Sequence, residues 1–308
     1  MPKYLKQSRK VLHRTPTKDS RKKRMEEEQI VHPVSFDMSP KGEFKRFEET
    51  YCTLFGAKGI GKSTFGKELG DVLADRYKLK LPATYFLMSE PPNNSLSFRR
   101  SRIRTWPTFR SFVDKAEKSP EFVSTVKMWV IDTVDALVAQ GISTIAYEWG
   151  ILDLSDEGYA RAWHELRDEL VYQLIRLGEM GPGVLMLSHE RGREMTISRM
   201  KIRVPSMDLS DSISNAVGYL CSMIVRMRYV SKSKSKNEIG HLRCLAVQGS
   251  EEEDVKDNLQ VVTASYPDGI VRFKNEKEAA VKLLSCFDSN KPYKMIKKKK
   301  KIRRHKMK

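Results

Sequence analysis

Eight residues early in the chain have the types and spacing of a phosphate-binding loop. The segment reads Gly-Ala-Lys-Gly-Ile-Gly-Lys-Ser and matches the pattern GxxxxGK[ST]. Its glycines let backbone N–H groups surround phosphate oxygens, and its lysine adds a positive charge near the β and γ phosphates. The serine hydroxyl is a ligand for Mg²⁺. We therefore expect ATP and Mg²⁺ to bind here, on Gly56, Ala57, Lys58, Gly59, Ile60, Gly61, Lys62, Ser63 and Thr64.

A carboxylate follows the most apolar strand segment. Met128 to Ile131 is apolar at every position, as in a parallel strand covered on both faces, and Asp132 comes directly after it. We expect Asp132 to lie at a strand end beside the phosphate-binding loop and to hold Mg²⁺, usually through water. The predicted metal ligands are Ser63 and Asp132. Asp135 is a nearby alternative, which we interpret as a helix-capping residue.

Two other polar residues follow apolar strand segments. Glu90 comes just after Thr84 to Met88, where it could orient or deprotonate the water that attacks the γ-phosphate; the alternative is a plain surface glutamate. His189 closes the segment Val184 to Leu187 and could sense the γ-phosphate for the next loop; the alternative is a structural histidine. The predicted catalytic residues are Glu90, Lys62 and His189.

Alternating strand and helix patterns would position these residues. Tyr51 to Phe55 is a predicted strand, and apolar residues recur at helical spacing after the glycine-rich loop. An amphipathic helix beginning near Trp163 is predicted to end at Gly178. Because strands connected through helices run parallel, these elements predict a mainly parallel sheet flanked by helices.

Later segments predict additions to one edge of this sheet. Met223 to Val230, Leu242 to Val247 and Leu259 to Ala264 have the composition of strands with tighter connections, which we expect to be antiparallel. The segment Ser231 to Lys236 alternates serine and lysine and is predicted to form a hairpin tip. The predicted fold class is therefore α/β, with a mainly parallel sheet and antiparallel edge strands.

The charge of the chain is concentrated at its two ends. The net charge of the 308 residues is +18. Residues 1–24 carry ten Lys or Arg and one acid, and residues 291–308 carry eleven and none, so the remainder is near neutral. We predict a basic arm and linker over residues 1–46, one ATPase domain over 47–290 and a polybasic tail over 291–308. Such ends could attract nucleic acid, serve as solubilising termini or act as a nuclear address.

Cysteine spacing and hydropathy indicate the cellular compartment of the protein. The four cysteines are far apart and have no metal-ligand spacing, which argues against a disulfide framework and structural zinc. No stretch of about 18 apolar residues is present, so no membrane span is expected. These features predict a cytoplasmic protein, or one in the host cytoplasm if the chain comes from a bacteriophage.

Two internal basic stretches are candidates for contact with nucleic acid. One follows His189, and the other mixes charge with the aromatic residues Phe98 and Trp106, as single-strand binders do. The alternatives are a solvated loop for the first stretch and a packed helix rim for the second. The basic residues are Arg191, Arg193, Arg199, Lys201 and Arg203 in the first stretch, and Arg99, Arg100, Arg102 and Arg104 in the second.

The order of these motifs resembles that of the RecA-like P-loop ATPases of bacteriophages, including the single-strand-annealing recombination group. The resemblance rests on the glycine-rich loop, Glu90, Val-Ile-Asp-Thr around Asp132 and Leu-Ser-His-Glu around His189, and covers roughly Tyr51 to Phe273. It implies a RecA-like core, a homo-oligomeric ring or filament with nucleotide between subunits, and handling of single-stranded DNA. It also implies that Glu90 is catalytic.

The leading hypothesis is an ATPase that acts on single-stranded DNA in recombination, repair or replication. Two alternatives stay open, a P-loop phosphotransferase acting on nucleotides or other small molecules and a nucleic-acid scaffold switched by ATP. Both polybasic ends are additions to the family pattern. A trans-acting arginine finger is not assigned, since Arg226, Arg228 and Arg243 all qualify.

Overall fold

The computed structural model describes residues 46–91, 96–151, 160–197, 200–230, 242–247 and 255–288. A short 3₁₀ helix, Phe47–Glu49, precedes the first strand. The strands are β1 Tyr51–Gly56, β2 Thr84–Met88, β3 Arg100–Arg102, β4 Met128–Asp132, β5 Gly183–Ile197, β6 Met200–Met207, β7 Met223–Tyr229, β8 Arg243–Ala246, β9 Lys256–Asp257 and β10 Ile270–Phe273. The helices are α1 Lys62–Tyr77, α2 Trp106–Glu117, α3 Pro120–Ser124, α4 Val134–Trp149, α5 Ala160–Glu179, α6 Asp211–Leu220, α7 Val261–Ser265 and α8 Glu276–Asp288. The basic ends, the segment Ser231 to Lys236 and the linker up to residue 45 lie outside the described residues.

The strands form a mixed sheet in the order β10-β8-β7-β1-β5-β4-β2-β3. The pairs from β7 through β1, β5, β4 and β2 to β3 are all parallel. β8 and β10 add antiparallel at the other edge. The prediction of a mainly parallel sheet with antiparallel edge strands is therefore confirmed, and the carboxyl ends of the parallel strands meet at one edge of the sheet.

Hydrophobic residues fill both faces of this sheet. Along β4, Met128 and Val130 belong to a core cluster that includes residues of α1 and α8, whereas Trp129 and Ile131 belong to a cluster that includes residues of α2, α4, α5 and α6. Successive strand residues point to opposite faces, so a strand buried on both sides needs an apolar residue at every position. This explains the unbroken apolar run before Asp132.

Close packing fixes α1, which follows the glycine-rich loop, against the sheet. Gly70 lies so close to β2 that a β carbon placed there would be 2.2 Å from Thr84 Oγ1 and 3.1 Å from the Thr84 nitrogen. Gly70 O also accepts a hydrogen bond from Ala83 N at 3.0 Å. Because glycine has no side chain, α1 can approach β2 closely at Gly70. This contact also fixes the position of the loop at the N-terminus of α1.

Two of the predicted edge strands were wrong. The segment Met223 to Val230 is a strand but runs parallel to β1 inside the sheet, with β8 on its other side. The segment Leu259 to Ala264 is not a strand and includes most of α7, because the Asp257 carboxylate accepts hydrogen bonds from Val262 N and Thr263 N and starts a helix. The antiparallel strand at the edge is instead β10, which the sequence reading missed.

The helix and loop boundaries around His189 also differ from expectation. Helix α5 continues past Gly178 to Glu179, and the residue with positive φ is Gly181, at +107°. Gly178 instead makes room for the ring of Tyr51, whose hydroxyl would lie 2.0 Å from a β carbon there. The stretch after His189 is not a loop, because β5 continues to Ile197 and pairs with β6 as an antiparallel hairpin. In the described part of the chain, no helix is both long and apolar enough to cross a bilayer.

Replacing Gly70 with alanine should destabilise the fold although alanine is the better helix former. The new methyl group would press on Thr84, and such overpacking costs about 1–3 kcal/mol. A matched control is Gly218 in α6, where a β carbon would find its nearest neighbour, Ile224 Cδ1, at 3.6 Å. Gly218→Ala should raise the free energy of unfolding by up to ~1 kcal/mol. Chemical denaturation measures both, and equal effects would contradict the packing account.

Candidate nucleotide-binding and catalytic site

The glycine-rich loop joins β1 to α1 and has the backbone of an anion cradle. Gly59 and Gly61 have φ values of +77° and +112°, a region that residues with a β carbon rarely adopt. Gly61 directly precedes the first residue of α1, so the loop delivers the N-terminus of that helix to the site. The unpaired N–H groups and positive dipole end of a helix attract anions.

Lys62 is buried beneath this loop. Lys62 is only 7% exposed, and its Nζ donates hydrogen bonds to Gly56 O at 2.8 Å and Ala57 O at 3.1 Å. Burial lowers the pKa of the Lys62 ammonium, and this is opposed by the nearby carboxylates, Asp135 most strongly. The ammonium is thus held by neutral carbonyl groups, in a place where phosphate oxygens would be stronger acceptors.

Asp132 meets Ser63 at the end of β4. Strand β5 lies between β1 and β4, and the Ser63 hydroxyl donates a hydrogen bond to the Asp132 carboxylate. Asp132 therefore lies beside the phosphate-binding loop, as predicted. Asp132 is 5% exposed, and burial raises the pKa of its carboxyl group while the Ser63 hydrogen bond lowers it. A buried carboxylate and a hydroxyl are oxygen ligands of the kind that Mg²⁺ prefers.

Glu90 lies past the end of β2, beside Asp132. Its backbone nitrogen is 3.4 Å from Asp132 O, and its carboxylate oxygen Oε1 accepts a hydrogen bond from Thr133 Oγ1 at 3.0 Å. The same oxygen is 3.5 Å from His189 Nδ1. The Glu90 side chain is about one-third exposed. The carboxylate is therefore fixed at the site and still within reach of water, as a general base requires.

His189 is held twice by a single carboxylate. Asp135 Oδ2 lies 2.7 Å from His189 Nδ1, and Asp135 Oδ1 accepts a hydrogen bond from His189 N at 3.1 Å. Our interpretation of Asp135 as a helix cap was wrong, because Thr133 is the N-cap of α4 and accepts from Ala136 N. The Asp135 carboxylate instead fixes the ring orientation of His189.

Except for Asp135, the residues of the site line one cavity of about 350 Å³. The glycine-rich loop meets Glu90, Asp132 and His189 around it, and Leu96 and Phe98 also line it. The donor set fits a phosphate group, since Lys62 and the start of α1 offer positive charge, and the Ser63 and Asp132 oxygens fit Mg²⁺. Its lining residues are Lys58, Gly59, Gly61, Lys62, Ser63, Thr64, Met88, Glu90, Pro91, Leu96, Phe98, Asp132, Thr133 and His189.

The sequence did not predict the roles of two site residues. Thr133 positions Glu90, and Asp135 positions His189. A threonine before a helical pattern is an N-cap signal, so Thr133 could have been found in that role, although its bond to Glu90 depends on tertiary structure. The contact between Asp135 and His189 joins residues that are far apart in sequence, and local pattern does not reveal it.

The candidate arginine-finger residues have partners within the chain. Arg226 Nε and Nη2 each donate to the Glu190 carboxylate at 3.0 Å. Arg243 Nη1 donates to Ile60 O in the glycine-rich loop at 2.9 Å and also contacts Glu276. Arg243 is therefore bound to the glycine-rich loop of its own chain, and Arg226 to the residue that follows His189.

The two internal basic stretches occupy different structures. The first forms the hairpin of β5 and β6, apart from Arg199, which lies outside the described residues. In this hairpin Arg191 and Arg193 both approach Asp211 Oδ1, at 3.1 and 3.3 Å. In the second stretch, Trp106 is completely buried and is not accessible for stacking on a nucleobase. Arg99 is bound to Thr125. The packing alternative therefore holds for Trp106 and Arg99.

Removing the Asp132 charge should abolish stabilisation by Mg²⁺-ATP without lowering the stability of the protein itself at neutral pH. Because burial raises the pKa of this carboxyl group, the folded protein holds the proton more tightly than the unfolded chain, and the ionised form costs stability as pH rises. Asp132→Asn should therefore be at least as stable as the wild type at neutral pH, with the difference shrinking in acid. It should lose the rise in melting temperature that Mg²⁺-ATP gives the wild type.

The matched control for this experiment is Asp75→Asn, which removes an exposed carboxylate at the far end of α1. It should keep the response to Mg²⁺-ATP. An Asp132→Asn protein that is still stabilised by Mg²⁺-ATP as much as the wild type would contradict the assignment of Asp132 as a metal ligand.

Asp135 and His189 should behave as one unit in catalysis. If Asp135 acts only by orienting His189, then Asp135→Ala and His189→Ala should each reduce ATP hydrolysis by up to about 100-fold, and the double variant should be no worse than either. Steady-state rates of phosphate release measure the three variants. Asp114→Ala, which removes an ion pair with Arg176 on the helical layer, is the control. Multiplicative losses in the double variant would show that the two residues act independently.

The flagellar accessory protein FlaH from Methanocaldococcus jannaschii is similar over 69% of this chain and 80% of that chain, with 12% identity and a TM-score of 0.38. No curated protein matches the chain.

The family comparison covers the whole site. The family described as an AAA domain matches residues 48–259, which is more than half of the chain and includes the glycine-rich loop, Glu90, Asp132 and His189. The phosphate cradle, the buried lysine and the carboxylate at the Ser63 hydroxyl are the parts that nucleotide binding in such a domain requires. The chain belongs to the AAA domain family of P-loop ATPases.

Proposed function

We propose that this protein hydrolyses ATP with Mg²⁺ and couples hydrolysis to binding of single-stranded DNA, in recombination, repair or replication. The observation that carries the proposal is the path of β5. This strand places His189 in the nucleotide site and continues without interruption into the basic hairpin with β6.

The residues of the chain have distinct roles in this reaction. Bound Mg²⁺-ATP supplies the phosphoanhydride bond and a divalent charge that stabilises its cleavage. Lys62 would neutralise charge on the phosphates, and Ser63 and Asp132 would hold the metal. Glu90 accepts a proton from the attacking water, and Thr133 keeps its carboxylate in place. His189, oriented by Asp135, is placed to detect the γ-phosphate.

The hairpin of β5 and β6 would transmit a movement of His189 to bound nucleic acid. Residues 190–197 pair with residues 200–207, beginning directly after His189. Lys201 and Arg203 are exposed on the second strand, whereas Arg191 and Arg193 share the carboxylate of Asp211. A phosphate backbone that binds the hairpin would compete with Asp211 for these two arginines. A movement of His189 would reach the hairpin through the continuous strand backbone.

The polybasic ends supply a second support for nucleic acid as the partner. The near-neutral body and the two basic ends divide the chain into a catalytic part and parts that attract polyanions. Self-association into a ring or filament is a further part of the proposal, since the family resemblance implies nucleotide sites between subunits.

ATP hydrolysis should increase on addition of single-stranded DNA, and this increase should fall steeply with salt because binding releases counterions. The measurement is the rate of phosphate release by the full chain, by a chain lacking residues 291–308 and by Lys201→Glu. Both altered proteins should need more DNA for the same stimulation, while keeping their rate without DNA. Lys80→Glu makes the same charge change in an exposed turn between α1 and β2 and should behave as the wild type.

A rate that is indifferent to any nucleic acid would overturn the proposed coupling. Transfer of the γ-phosphate to an added nucleoside or nucleotide, in place of release as inorganic phosphate, would establish a phosphotransferase instead. DNA binding with no hydrolysis would establish a scaffold switched by ATP.

A further inference from the structure

We infer that Arg243 and Glu276 form a clamp that holds the glycine-rich loop in its binding conformation, so that the C-terminal helix α8 is a working part of the nucleotide site. The inference rests on the nucleotide site already described and does not depend on DNA. It assigns positioning roles, since neither side chain is among the residues that line the nucleotide cavity.

The contact is made directly to the backbone of the loop. Arg243, the first residue of β8, donates from Nη1 to Ile60 O at 2.9 Å. The carbonyl of Ile60 lies between the two glycines with positive φ, Gly59 and Gly61, where backbone freedom is greatest. A hydrogen bond at this point restricts the part of the loop that must keep its N–H groups turned towards phosphate.

Glu276 holds the arginine in place. Its carboxylate contacts Arg243 Nη1, and the side chains of Arg243 and Glu276 are only 19% and 13% exposed. The guanidinium also lies over the ring of Phe273 at 5.4 Å from the centroid. Because both charges are mostly buried, each would be destabilised by the loss of the other, which makes the pair act as a unit.

The clamp packs against the last glycine of the loop. A β carbon on Gly61 would lie 2.3 Å from Glu276 Oε1 and 2.7 Å from Arg243 Nη1. The glycine at this position therefore serves the close approach of the clamp in addition to its φ of +112°. The motif glycine and the clamp depend on each other.

Helix α8 is anchored so that it can support this contact. It runs beside α1 in the same direction: its first residue, Glu276, is at the glycine-rich loop, and its last, Asp288, pairs with Arg76 in the last turn of α1 at 2.6 Å. The match to the AAA domain family ends at residue 259, so α8 lies beyond it. Arg243 lies within the match, whereas its partner Glu276 is a contribution of the more C-terminal part of this chain to the nucleotide site.

The test is binding of fluorescent ATP and ADP analogues, with Mg²⁺ and without DNA, to full-length variants. A clamp on the loop backbone should support both nucleotides equally, so Arg243→Ala should weaken ATP and ADP binding alike, by at least about 10-fold. The single-turnover rate of bound ATP should stay within about 3-fold of the wild type, since the clamp does not touch the reacting groups. Arg243→Lys, which keeps a donor for Ile60 O, should recover most of the affinity.

A second experiment tests whether Glu276 acts through Arg243. Glu276→Gln should weaken nucleotide binding in the wild type but have less than about a 2-fold effect when Arg243 is already alanine. Arg272→Ala is the matched control, because it removes an arginine in the neighbouring strand β10 whose ion pair with Asp268 is half exposed. It should bind nucleotide as the wild type does. Melting temperatures identify any variant that fails to fold, and the Lys and Gln variants then carry the test.

Three results would overturn the clamp. Wild-type affinity in folded Arg243→Ala would show that the contact does not support the loop. A loss confined to ATP would mean that Arg243 reads the γ-phosphate, and independent effects of the two substitutions would mean that Glu276 does not act through Arg243. Failure of hydrolysis or of DNA stimulation would leave these binding results unaffected, so the clamp and the proposed function are tested separately.

Discussion

The burial of opposite charges at one edge of the sheet is the constraint on which the rest of the structure depends. Lys62 and Asp132 are both almost inaccessible to water. Burial lowers the pKa of Lys62 and raises the pKa of Asp132, so it favours the neutral form of each side chain. Nearby carboxylates, Asp135 most strongly, favour the charged form of Lys62, whose ammonium also donates hydrogen bonds to the loop carbonyls. The hydrogen bond from Ser63 favours the charged form of Asp132. A phosphate group with a divalent cation would satisfy both charges better than these neutral partners do. The site is therefore arranged for a ligand that carries both signs of charge.

The surrounding elements keep these charges at fixed positions. Three parallel strands bring Glu90, Asp132 and His189 to the same edge, and apolar residues of the helices on both faces bury most residues of these strands. The two positioning contacts, Thr133 to Glu90 and Asp135 to His189, come from α4 and the residue that caps it. On the other side, the Arg243 contact brings the antiparallel edge and α8 to the glycine-rich loop. Residues from strands across most of the sheet therefore contribute to the site at this edge.

The sequence was informative wherever a local pattern has a direct physical cause. The glycine-rich loop, the apolar run before Asp132 and the helical spacing after Ser63 each follow from backbone geometry or from burial on two faces, and they predicted the loop, β4 and α1. Glu90 and His189 could be predicted because carboxyl ends of parallel strands converge. The failures have different causes. Gly178 accommodates the ring of Tyr51, which is far away in sequence, so no local pattern could have revealed that contact. The hydrogen bonds from Val262 and Thr263 to Asp257 and the pairing of β5 with β6 join residues that are closer in sequence, but they depend on the path of a turn, which residue periodicity does not show.

The central claim is that the cavity beside the glycine-rich loop hydrolyses ATP with Glu90 as the base, and single-turnover hydrolysis by Glu90→Gln tests it most directly. Glutamine keeps an oxygen that can accept the Thr133 hydrogen bond but cannot take a proton from water, so Mg²⁺-ATP binding should be unchanged. The rate constant for cleavage of bound ATP should fall by about 10²- to 10⁴-fold. A Glu90→Gln protein that binds Mg²⁺-ATP and cleaves it at the wild-type rate would contradict the account.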